Sequence, residues 1–291
     1  MAKYLDPKND LVFKRIFGGH PKLLISFLNA LMPLEEGRKI VSLEYLSPEM
    51  VPENPLRKFS IVDVRCKDNY GRQFIVEMQM EWSSAFPNRM LYNASKVYSD
   101  QLQRKALYGT LQPVYGLGIL NEVFDRKTGE FYHRYQMSNR QNTNEVINGI
   151  ELVLVELPKF KPDRWVDRRM AVLWLRFLRE VYDSCTQVPQ DLQEDEAVGS
   201  AVTMCEVGAY TEEELAVYER YWDYVLKEKM FLDASFAEGE AKGEAKGKAE
   251  GRAEGEREYV LKLHQKGKSA TDIAELTDLP VEKVESILKS S

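Results

Sequence analysis

Two acidic residues and a glutamine lie in two neighbouring segments, FSIVDVRC and FIVEMQM, which alternate in polarity and are rich in β-forming residues. Asp63 follows Ile61 in the first segment, and Glu77 and Gln79 follow Ile75 in the second. Because alternate side chains of a strand share a face, each acid has apolar neighbours on its own face, which predicts partial burial. Two half-buried carboxylates that converge repel each other and are costly to ionise, and a divalent cation relieves both effects.

The chemistry that this pattern predicts is binding of a hard cation by oxygen ligands, Mg²⁺ or Mn²⁺. The backbone carbonyl of Met78, between the second acid and the glutamine, supplies a third oxygen. Such an ion polarises a phosphate and lowers the pKa of a bound water for in-line attack. A plainer interpretation stays open, in which Asp63 and Glu77 are exposed strand acids paired with Arg65 or Lys67, because the spacing is loose and strand carboxylates are common.

A β-hairpin would bring the two segments together, and the residues between them favour one. The joining run KDNYGRQ contains Asp, Asn and Gly, which are typical of tight turns. The alternation also predicts that Val62, Val64 and Cys66 share the apolar face of the first strand. After the hairpin, PNRMLYNASKVYSDQLQRKALY has the pattern of a long helix, and PVYGLGIL, FYHRYQMS and ELVLVEL are typical of strands.

Helices precede and follow these strands. Leu11, Phe13, Ile16 and Phe17 recur at helical spacing, PKLLISFLNALM opens with a helix-favouring proline, and RKIVSLEYLS is typical of a strand. From Pro162 onward the pattern is helical. This order predicts an α/β core with a mixed central sheet flanked by helices, plus an α-helical C-terminal extension. We place the core at 1–160, the helical extension at 161–236, a low-complexity charged helix or linker at 237–258, and a small helical motif at 259–291.

The hairpin run IVDVRCKDNYGRQFIVEMQM resembles the active-site hairpin of the PD-(D/E)XK nucleases. The stretches NDLVFKRIFGG, LLISFLNALM and RMLYNASKVYSDQLQRKALYGTLQPVYGLGIL are similar to one branch, the Rpn recombination-promoting nucleases, also described as PD-(D/E)XK family transposases. The resemblance covers the first half of the chain closely and the glycine–glutamate–lysine tail in style. It implies a restriction-endonuclease-like fold and hydrolysis of DNA phosphodiesters with Mg²⁺, or with Mn²⁺ or Ca²⁺ in its place, in recombination or mobile-element transfer.

The resemblance also implies roles for single residues. Asp63 and Glu77 match the two metal-binding acids. Gln79 falls where the wider superfamily often has lysine and where many members of this branch have glutamine. A glutamine orients water or phosphate but carries no charge, so its share of transition-state stabilisation is smaller than that of a lysine. Gln101 and Tyr98 are the polar residues that the following helix offers toward the site, unless each is bonded to a neighbour or to water instead.

Three departures from the family pattern bear on catalysis. Val62 replaces the proline of the superfamily name, Lys22 stands where relatives often have an acid in the N-terminal helix, and the lysine is missing at Gln79. Asp10 and Glu44 are the acids that can substitute in the N-terminal part. The departures leave open a second hypothesis, a catalytically inactive DNA-binding or protein-interaction module, and a third, a regulatory adaptor whose helical C-terminus carries the function.

The composition excludes several other classes of protein. A net charge of −6 argues against a chain that coats DNA with positive charge. The three cysteines and three histidines are scattered, without zinc spacing or a disulfide framework, which favours a reducing, cytoplasmic setting. No apolar run is long enough for a membrane span, and the N-terminus does not resemble a secretory signal.

The expected partner is DNA, and basic residues mark candidate contacts, although a charged helix face is commonly only solvated. These residues are Arg89, Lys96, Arg104 and Lys105 near the post-hairpin helix, and Arg164, Arg168, Arg169, Arg176 and Arg179 farther on. The run GKSATDIAELT resembles the start of a helix-turn-helix motif, but VEKVESILKSS lacks a base-reading face, which favours helical docking or oligomerisation. We expect a homodimer, because two sites cut two strands most simply.

Overall fold

The chain opens with two helices that supply much of the core. The computed structural model describes residues 4–50, 60–102, 107–165, 168–183 and 185–290. Helix α1 (Asp10–Gly19) begins where the Asn9 side chain accepts a hydrogen bond from the Leu11 N–H, and α2 (Pro21–Leu31) begins at the predicted proline. The apolar faces of both helices are buried in the main hydrophobic cluster.

The strands form a six-stranded mixed sheet and a small two-stranded sheet. They are β1 (Leu43–Tyr45), β2 (Glu49–Met50), β3 (Ser60–Ile61), β4 (Val64–Asp68), β5 (Gln73–Gln79), β6 (Val114–Leu120), β7 (Tyr132–Ser138) and β8 (Val146–Glu156). The large sheet has the order β1-β4-β5-β6-β8-β7, and β2 pairs with β3. Strands β5, β6 and β8 are parallel, and the other pairs are antiparallel. The predicted mixed α/β fold is confirmed, with a shorter β1 than expected.

Helices cover both faces of the large sheet. The remaining helices are α3 (Phe86–Ser99), α4 (Arg169–Glu180), α5 (Gln190–Glu194), α6 (Glu196–Met204), α7 (Glu212–Gln265), α8 (Ala270–Thr277) and α9 (Val281–Lys289). Phe74 and Val76 of β5 pack into the large cluster with α1, α2, α4 and α6. Ile75, between them, packs into a second cluster with α3. The alternation of β5 therefore assigns one face of the sheet to each cluster.

The predicted helical extension packs into the main core. Trp174 of α4 is fully buried, and its ring centroid lies 5.5 Å from that of Phe17 on α1 and 5.5 Å from that of Phe27 on α2. The chain divides into two compact units, Met1–Leu226 and Lys227–Ser291. This division does not fall at our expected boundary after residue 160, because α4 and α6 complete the core that α1 and α2 begin.

The second unit ends in a small helical motif of the predicted kind. Val260, Ile273 and Val284 are buried together there. The Ser269 hydroxyl accepts a hydrogen bond from the Asp272 N–H, and the Asp272 carboxylate accepts one from the Ser269 N–H, so the predicted capping box is confirmed. The repeat at 237–258 is helical and lies within α7. In the described part of the chain, no helix is both long and apolar enough to cross a bilayer.

Two glycines of β6 let α3 approach the sheet closely. A Cβ at Gly116 would lie 2.7 Å from Leu152 Cδ2 on β8 and 3.1 Å from the terminal methyl carbon of Met90. A Cβ at Gly118 would lie 2.8 Å from Leu154 Cδ2 on β8 and 3.0 Å from the ring of Phe86. Met90 and Phe86 both belong to α3, so a larger residue at either glycine pushes against that helix. Gly118 is the register partner of Glu77 on β5. The glycines therefore keep α3 directly above this acid.

Candidate active site

The first strand of the hairpin is interrupted at Asp63. Strand β3 ends two residues before it, β4 begins at the next residue, and the chain bends between them. The Val62 N–H donates to the Pro48 carbonyl at 3.2 Å, which ties this segment to the small sheet. Val62 consequently packs in the α3 cluster, whereas Val64 and Cys66 pack in the opposite one. The predicted shared face is therefore wrong for Val62.

The bend turns the Asp63 side chain onto β5. Its Oδ2 accepts a hydrogen bond from the Met78 N–H at 2.7 Å, and 23% of the side chain is exposed. The N–H and carbonyl of one strand residue point to the same side of the strand. The Met78 carbonyl therefore points to the side of β5 on which Asp63 lies, so two oxygens that we predicted as metal ligands share one side.

Glu77 lies beneath α3 and is nearly buried, with 7% of its side chain exposed. Its Oε1 accepts a hydrogen bond from Asn93 Nδ2 at 2.8 Å, and its Oε2 accepts one from Arg89 Nη2 at 3.3 Å. Arg89 and Asn93 are four residues apart on α3 and thus share a helix face. From the sequence we expected Arg89 only as a DNA contact and did not expect Asn93, although the spacing of the two residues after the hairpin indicates a shared helix face.

Gln79 follows Glu77 on the same face of β5 and is held by two contacts. Its Nε2 donates to the Glu81 carbonyl at 2.7 Å, and its Oε1 accepts a hydrogen bond from Arg89 Nη2. The guanidinium of Arg89 also lies over the Phe86 ring, with its Cζ 5.0 Å from the ring centroid. One arginine from α3 therefore connects the second acid with the glutamine.

A second charged group approaches Asp63 from α1. Lys14 Nζ lies 2.7 Å from Asp10 Oδ1 and 4.0 Å from Asp63 Oδ1. Asp10 is one of the two acids that sequence analysis offered for the N-terminal part. The other, Glu44, pairs with Lys67 at 2.8 Å between β1 and β4. The structure thus brings Asp10 toward Asp63 and leaves Glu44 at the edge of the sheet.

The plainer interpretation of the two acids required them to pair with Arg65 or Lys67. Arg65 Nη2 instead donates to the Gln73 side chain at 3.1 Å, and Lys67 pairs with Glu44. Within the described ranges, the cations that approach the acids come from helices α1 and α3. The acids are therefore not ordinary exposed strand residues.

Burial makes both acids difficult to ionise. Burial, with smaller contributions from the charges of Asp10 and Glu77, raises the pKa of Asp63 from 3.8 to about 7, and the Met78 N–H hydrogen bond and the charge of Lys14 oppose this rise. Burial also raises the pKa of Glu77, and the contacts with Arg89 and Asn93 oppose that rise. Because Asp10 and Glu77 both act on Asp63, the three acids share one electrostatic neighbourhood.

The donors here fit a hard divalent cation, although they do not form a cage of side chains. Across the residues that the structure describes, no group of three or more His, Cys, Asp and Glu side chains is arranged to hold a metal. The oxygens of Asp63 and Glu77 and the Met78 carbonyl are of the chemical type that Mg²⁺ and Mn²⁺ prefer. A divalent charge would favour the ionised form of both acids, which burial disfavours.

Gln101 lies at the opposite end of the sheet from Gln79. Its side-chain amide donates to the Gln112 carbonyl at 3.0 Å and accepts from the Gln112 N–H at 2.9 Å, just before β6. Gln79 pairs with Leu120, the last residue of β6, which lies eight residues from Gln112, or about 26 Å at about 3.3 Å per strand residue. The structure therefore does not bring Gln101 to the acids, because α3 ends at Ser99 and Gln101 lies beside Gln112, before the start of β6.

Four of the six basic residues expected to contact DNA whose side chains the structure describes, Arg89 among them, bond or pair within the chain. Arg176 pairs with Glu180 at 2.8 Å, Arg179 donates to the Phe160 carbonyl at 2.6 Å, and Lys96 donates to the Met50 carbonyl. Arg168 and Arg169 are exposed. Arg104 and Lys105 lie outside the described residues, as does the side chain of Arg164.

Comparison with known proteins adds one finding. A family model described as PD-(D/E)XK nuclease family transposase matches residues 7–235, which contain the sheet, the acids and helices α1 to α6. The resemblance to PD-(D/E)XK family transposases is thereby confirmed. No curated protein and no solved structure matches the chain.

Proposed function

The chain belongs to the PD-(D/E)XK nuclease family of transposases, and we therefore propose that it hydrolyses DNA phosphodiester bonds with a divalent ion held by Asp63, Glu77 and the Met78 carbonyl. Family membership indicates a nuclease- or transposition-related function, and nucleases of this kind generally use divalent metal ions. The observation that carries the proposal is the bend at Asp63. It lets the Asp63 carboxylate accept a hydrogen bond from the Met78 N–H, next in the chain to Glu77, the second buried acid.

The residues of the chain divide the work of such a reaction. Asp63 and Glu77 would hold the ion, preferably Mg²⁺, and Asn93 orients Glu77 through its hydrogen bond to Oε1. When bound, the ion polarises the scissile phosphate and lowers the pKa of a water molecule. The water oxygen would form the new bond to phosphorus as the ester bond to the sugar oxygen breaks, and the proton that the water loses to solvent would be matched by one that the sugar oxygen takes up. Gln79 positions the water or the phosphate.

Asp10 enters the proposed site as the acid from the N-terminal helix. Its negative charge raises the pKa of Asp63, so it acts on the same site. Lys14 lies between the two carboxylates and partly neutralises them. Asp10 and Lys14 therefore set the electrostatic potential at the place where the ion and the phosphate meet.

Plasmid nicking with the purified chain tests the proposed function. We expect supercoiled DNA to be converted to open-circular or linear forms with Mg²⁺ or Mn²⁺ and to stay intact with EDTA, because the ion stabilises the charge that develops on the phosphate. The same protein with chelator is the matched control. Equal nicking with and without chelator, or intact plasmid with folded, Mn²⁺-loaded protein, would contradict the proposal.

Metal affinity should rise with pH, because a proton on Asp63 competes with the ion. With a pKa of about 7, the ionised fraction is about one tenth at pH ~6 and about nine tenths at pH ~8, so Mn²⁺ should bind about tenfold more tightly at the higher pH. This folded-state pKa is above the unfolded one. In the metal-free chain, ionisation of Asp63 therefore lowers the free energy of unfolding as the pH rises from about 4 to about 7.

Calorimetric titration with Mn²⁺ at the two pH values measures this effect. The Asp63→Asn variant is the control, since it has no proton to lose at this position, and its residual affinity should change less with pH. Equal affinities of the parent chain at the two pH values would show that Asp63 does not exchange a proton for the ion.

A second candidate function, the catalytically inactive DNA-binding or protein-interaction module, is favoured by a different observation. Arg89 forms an ion pair with Glu77, and Lys14 lies 4.0 Å from Asp63. These side-chain cations partly neutralise both acids without a metal. This candidate predicts a gel shift with duplex DNA that survives Asp63→Asn, with no nicking by either protein. The adaptor hypothesis for the C-terminal helices stays a prediction of the sequence.

We further propose recombination or mobile-element transfer as the context of cleavage, and a homodimer as the form that cuts both strands. A symmetric pair presents two equivalent sites, one to each strand. Light scattering with and without duplex DNA tests the dimer, and a monomer under both conditions contradicts it. Transfer of a marked DNA segment between cells, with the parent chain against Asp63→Asn, tests the context.

A further inference from the structure

The charge that this chain lacks at Gln79 is present beside it, on Arg89. Gln79 uses its Nε2 to donate to the Glu81 carbonyl, and this contact fixes the amide with its Oε1 toward α3. The guanidinium of Arg89 donates to that Oε1 and lies 3.3 Å from Glu77 Oε2. The guanidinium of Arg89 therefore lies at the end of the Gln79 side chain, and Gln79 occupies the position where the wider superfamily often has lysine.

We propose that Arg89 is a catalytic residue that binds the scissile phosphate, and that Gln79 is a positioning residue that holds its guanidinium in place. The inference rests on the proposed nuclease function. A guanidinium presents several N–H donors in a fixed fork, so Arg89 can keep its contact with Gln79 while other donors face a phosphate oxygen. Its charge stabilises the negative charge that develops there.

The surroundings of Arg89 fit this role. The Arg89 side chain is 44% exposed, whereas that of Glu77 is 7% exposed, so the arginine is the member of the pair that solvent and DNA reach. Asn93 holds the other oxygen of Glu77 at 2.8 Å. Glu77 therefore stays oriented when Arg89 turns to a phosphate. The Phe86 ring beneath the guanidinium limits where it can turn.

Lys14, the cation nearest to Asp63, is less suited to this role. Its ammonium is held by Asp10 at 2.7 Å, and it lies 4.0 Å from Asp63 Oδ1. It approaches the first acid from α1, whereas position 79 lies beside the second acid under α3. Of these two cations, only Arg89 contacts the glutamine.

Moving the charge from the helix to the strand tests the inference. Arg89→Ala should reduce the nicking rate about 100-fold, a loss of the size seen when one transition-state donor is removed. Adding Gln79→Lys to Arg89→Ala should recover at least about tenfold, because it restores a cation at the same place. Arg89→Lys should fall between the parent and Arg89→Ala, since a lysine keeps the charge and loses the fork. Thermal denaturation verifies that each variant is folded.

The matched control is Arg134→Ala. Arg134 is also 44% exposed and also contacts a glutamate, Glu151, but on β7 and β8. Its replacement removes the same charge and should leave nicking unchanged. Unchanged nicking in Arg89→Ala, or an equal loss in Arg134→Ala, would overturn the proposal. The proposal would also be overturned if neither the double variant Arg89→Ala/Gln79→Lys nor the single variant Arg89→Lys nicked DNA faster than Arg89→Ala.

A binding measurement separates this inference from the proposed function. Duplex DNA affinity is measured with Ca²⁺ over a range of salt concentrations, and Mn²⁺ affinity is measured without DNA. Arg89→Ala should reduce the slope of the salt dependence by about one, as the loss of one phosphate contact does, and should not weaken Mn²⁺ binding. If the parent chain does not nick DNA, the proposed function fails. In that case the salt dependence of DNA affinity alone tests the contact between Arg89 and phosphate. A smaller slope in Arg89→Ala than in the parent chain supports the contact, and an equal slope overturns it.

Discussion

Asp63→Asn should lower the rate of plasmid nicking by about a thousandfold and leave the chain folded, or even more stable. The ion contributes several kcal/mol to the transition state, and each 1.4 kcal/mol is about tenfold in rate. Asparagine has the size of aspartate, and its side-chain oxygen can still accept the Met78 N–H. At pH ~8 the replacement also removes a half-buried charge whose pKa burial raises to about 7, so the melting temperature should not fall.

Glu77→Gln should act in the same direction for the same reason. Its Oε1 still accepts the Asn93 amide, while the charge that binds the ion is lost. Asp10→Asn should lower the nicking rate less than either of these substitutions, since Asp10 acts on Asp63 through its charge alone.

Nicking assays and thermal denaturation of the same preparations measure both effects. Glu44→Gln is the control, because Glu44 is an acid of the same sheet that pairs with Lys67 at an edge strand, and neither its nicking rate nor its melting temperature should change. Full activity in Asp63→Asn would remove the metal site from the mechanism. Lost activity together with a large fall in melting temperature would assign Asp63 a structural role instead.

Trp174→Ala should lower the free energy of unfolding by about 3–5 kcal/mol, the usual cost of removing a fully buried aromatic side chain. The indole ring packs against Phe17 and Phe27, and its Nε1 donates to the Ser26 hydroxyl at 3.0 Å. The replacement leaves a cavity between α4 and the two N-terminal helices. Helix α1, which packs on Trp174, also carries Asp10 and Lys14. We therefore expect the nicking rate of Trp174→Ala to fall together with its free energy of unfolding.

Urea denaturation measures this loss. Trp174→Phe is the matched variant, since it keeps an aromatic ring in the cavity and should cost clearly less than alanine. A change below about 0.5 kcal/mol for Trp174→Ala, the usual range of surface substitutions, would mean that α4 is not part of the core. The chain would then be divided after residue 160, as the change to a helical sequence pattern from Pro162 onward indicates.

The features that the sequence analysis predicted are those with a local signal. The alternation of β5 placed Glu77 and Gln79 on one face, and the structure has them there, under α3. The proline of α2 and the capping box at Ser269 also follow from short-range chemistry. Each of these depends on neighbours within a few residues, which is the range that a periodic pattern reports.

The features that the sequence analysis missed depend on distant partners. The bend at Asp63 arises because the preceding residue bonds to Pro48 and its segment joins β2. Alternation alone cannot show that a strand leaves one sheet for another. Gln101 resembled a site residue because we extended α3 past Ser99, and the helix ends there. The boundary after residue 160 was drawn from a change in pattern, whereas Trp174 shows that long-range packing crosses it.

The glycines of β6 have a consequence for how related sequences are judged. Gly116 and Gly118 contribute no ligand, yet they fix how far the helix with Arg89 and Asn93 stands from the acids. A relative with both carboxylates and a bulkier residue at the position of Gly118 would retain every reactive group and lose their alignment. An inventory of acids would count such a chain as competent. The size of the residues at positions 116 and 118 is therefore a second criterion, besides the presence of the acids, for whether a related sequence keeps an aligned site.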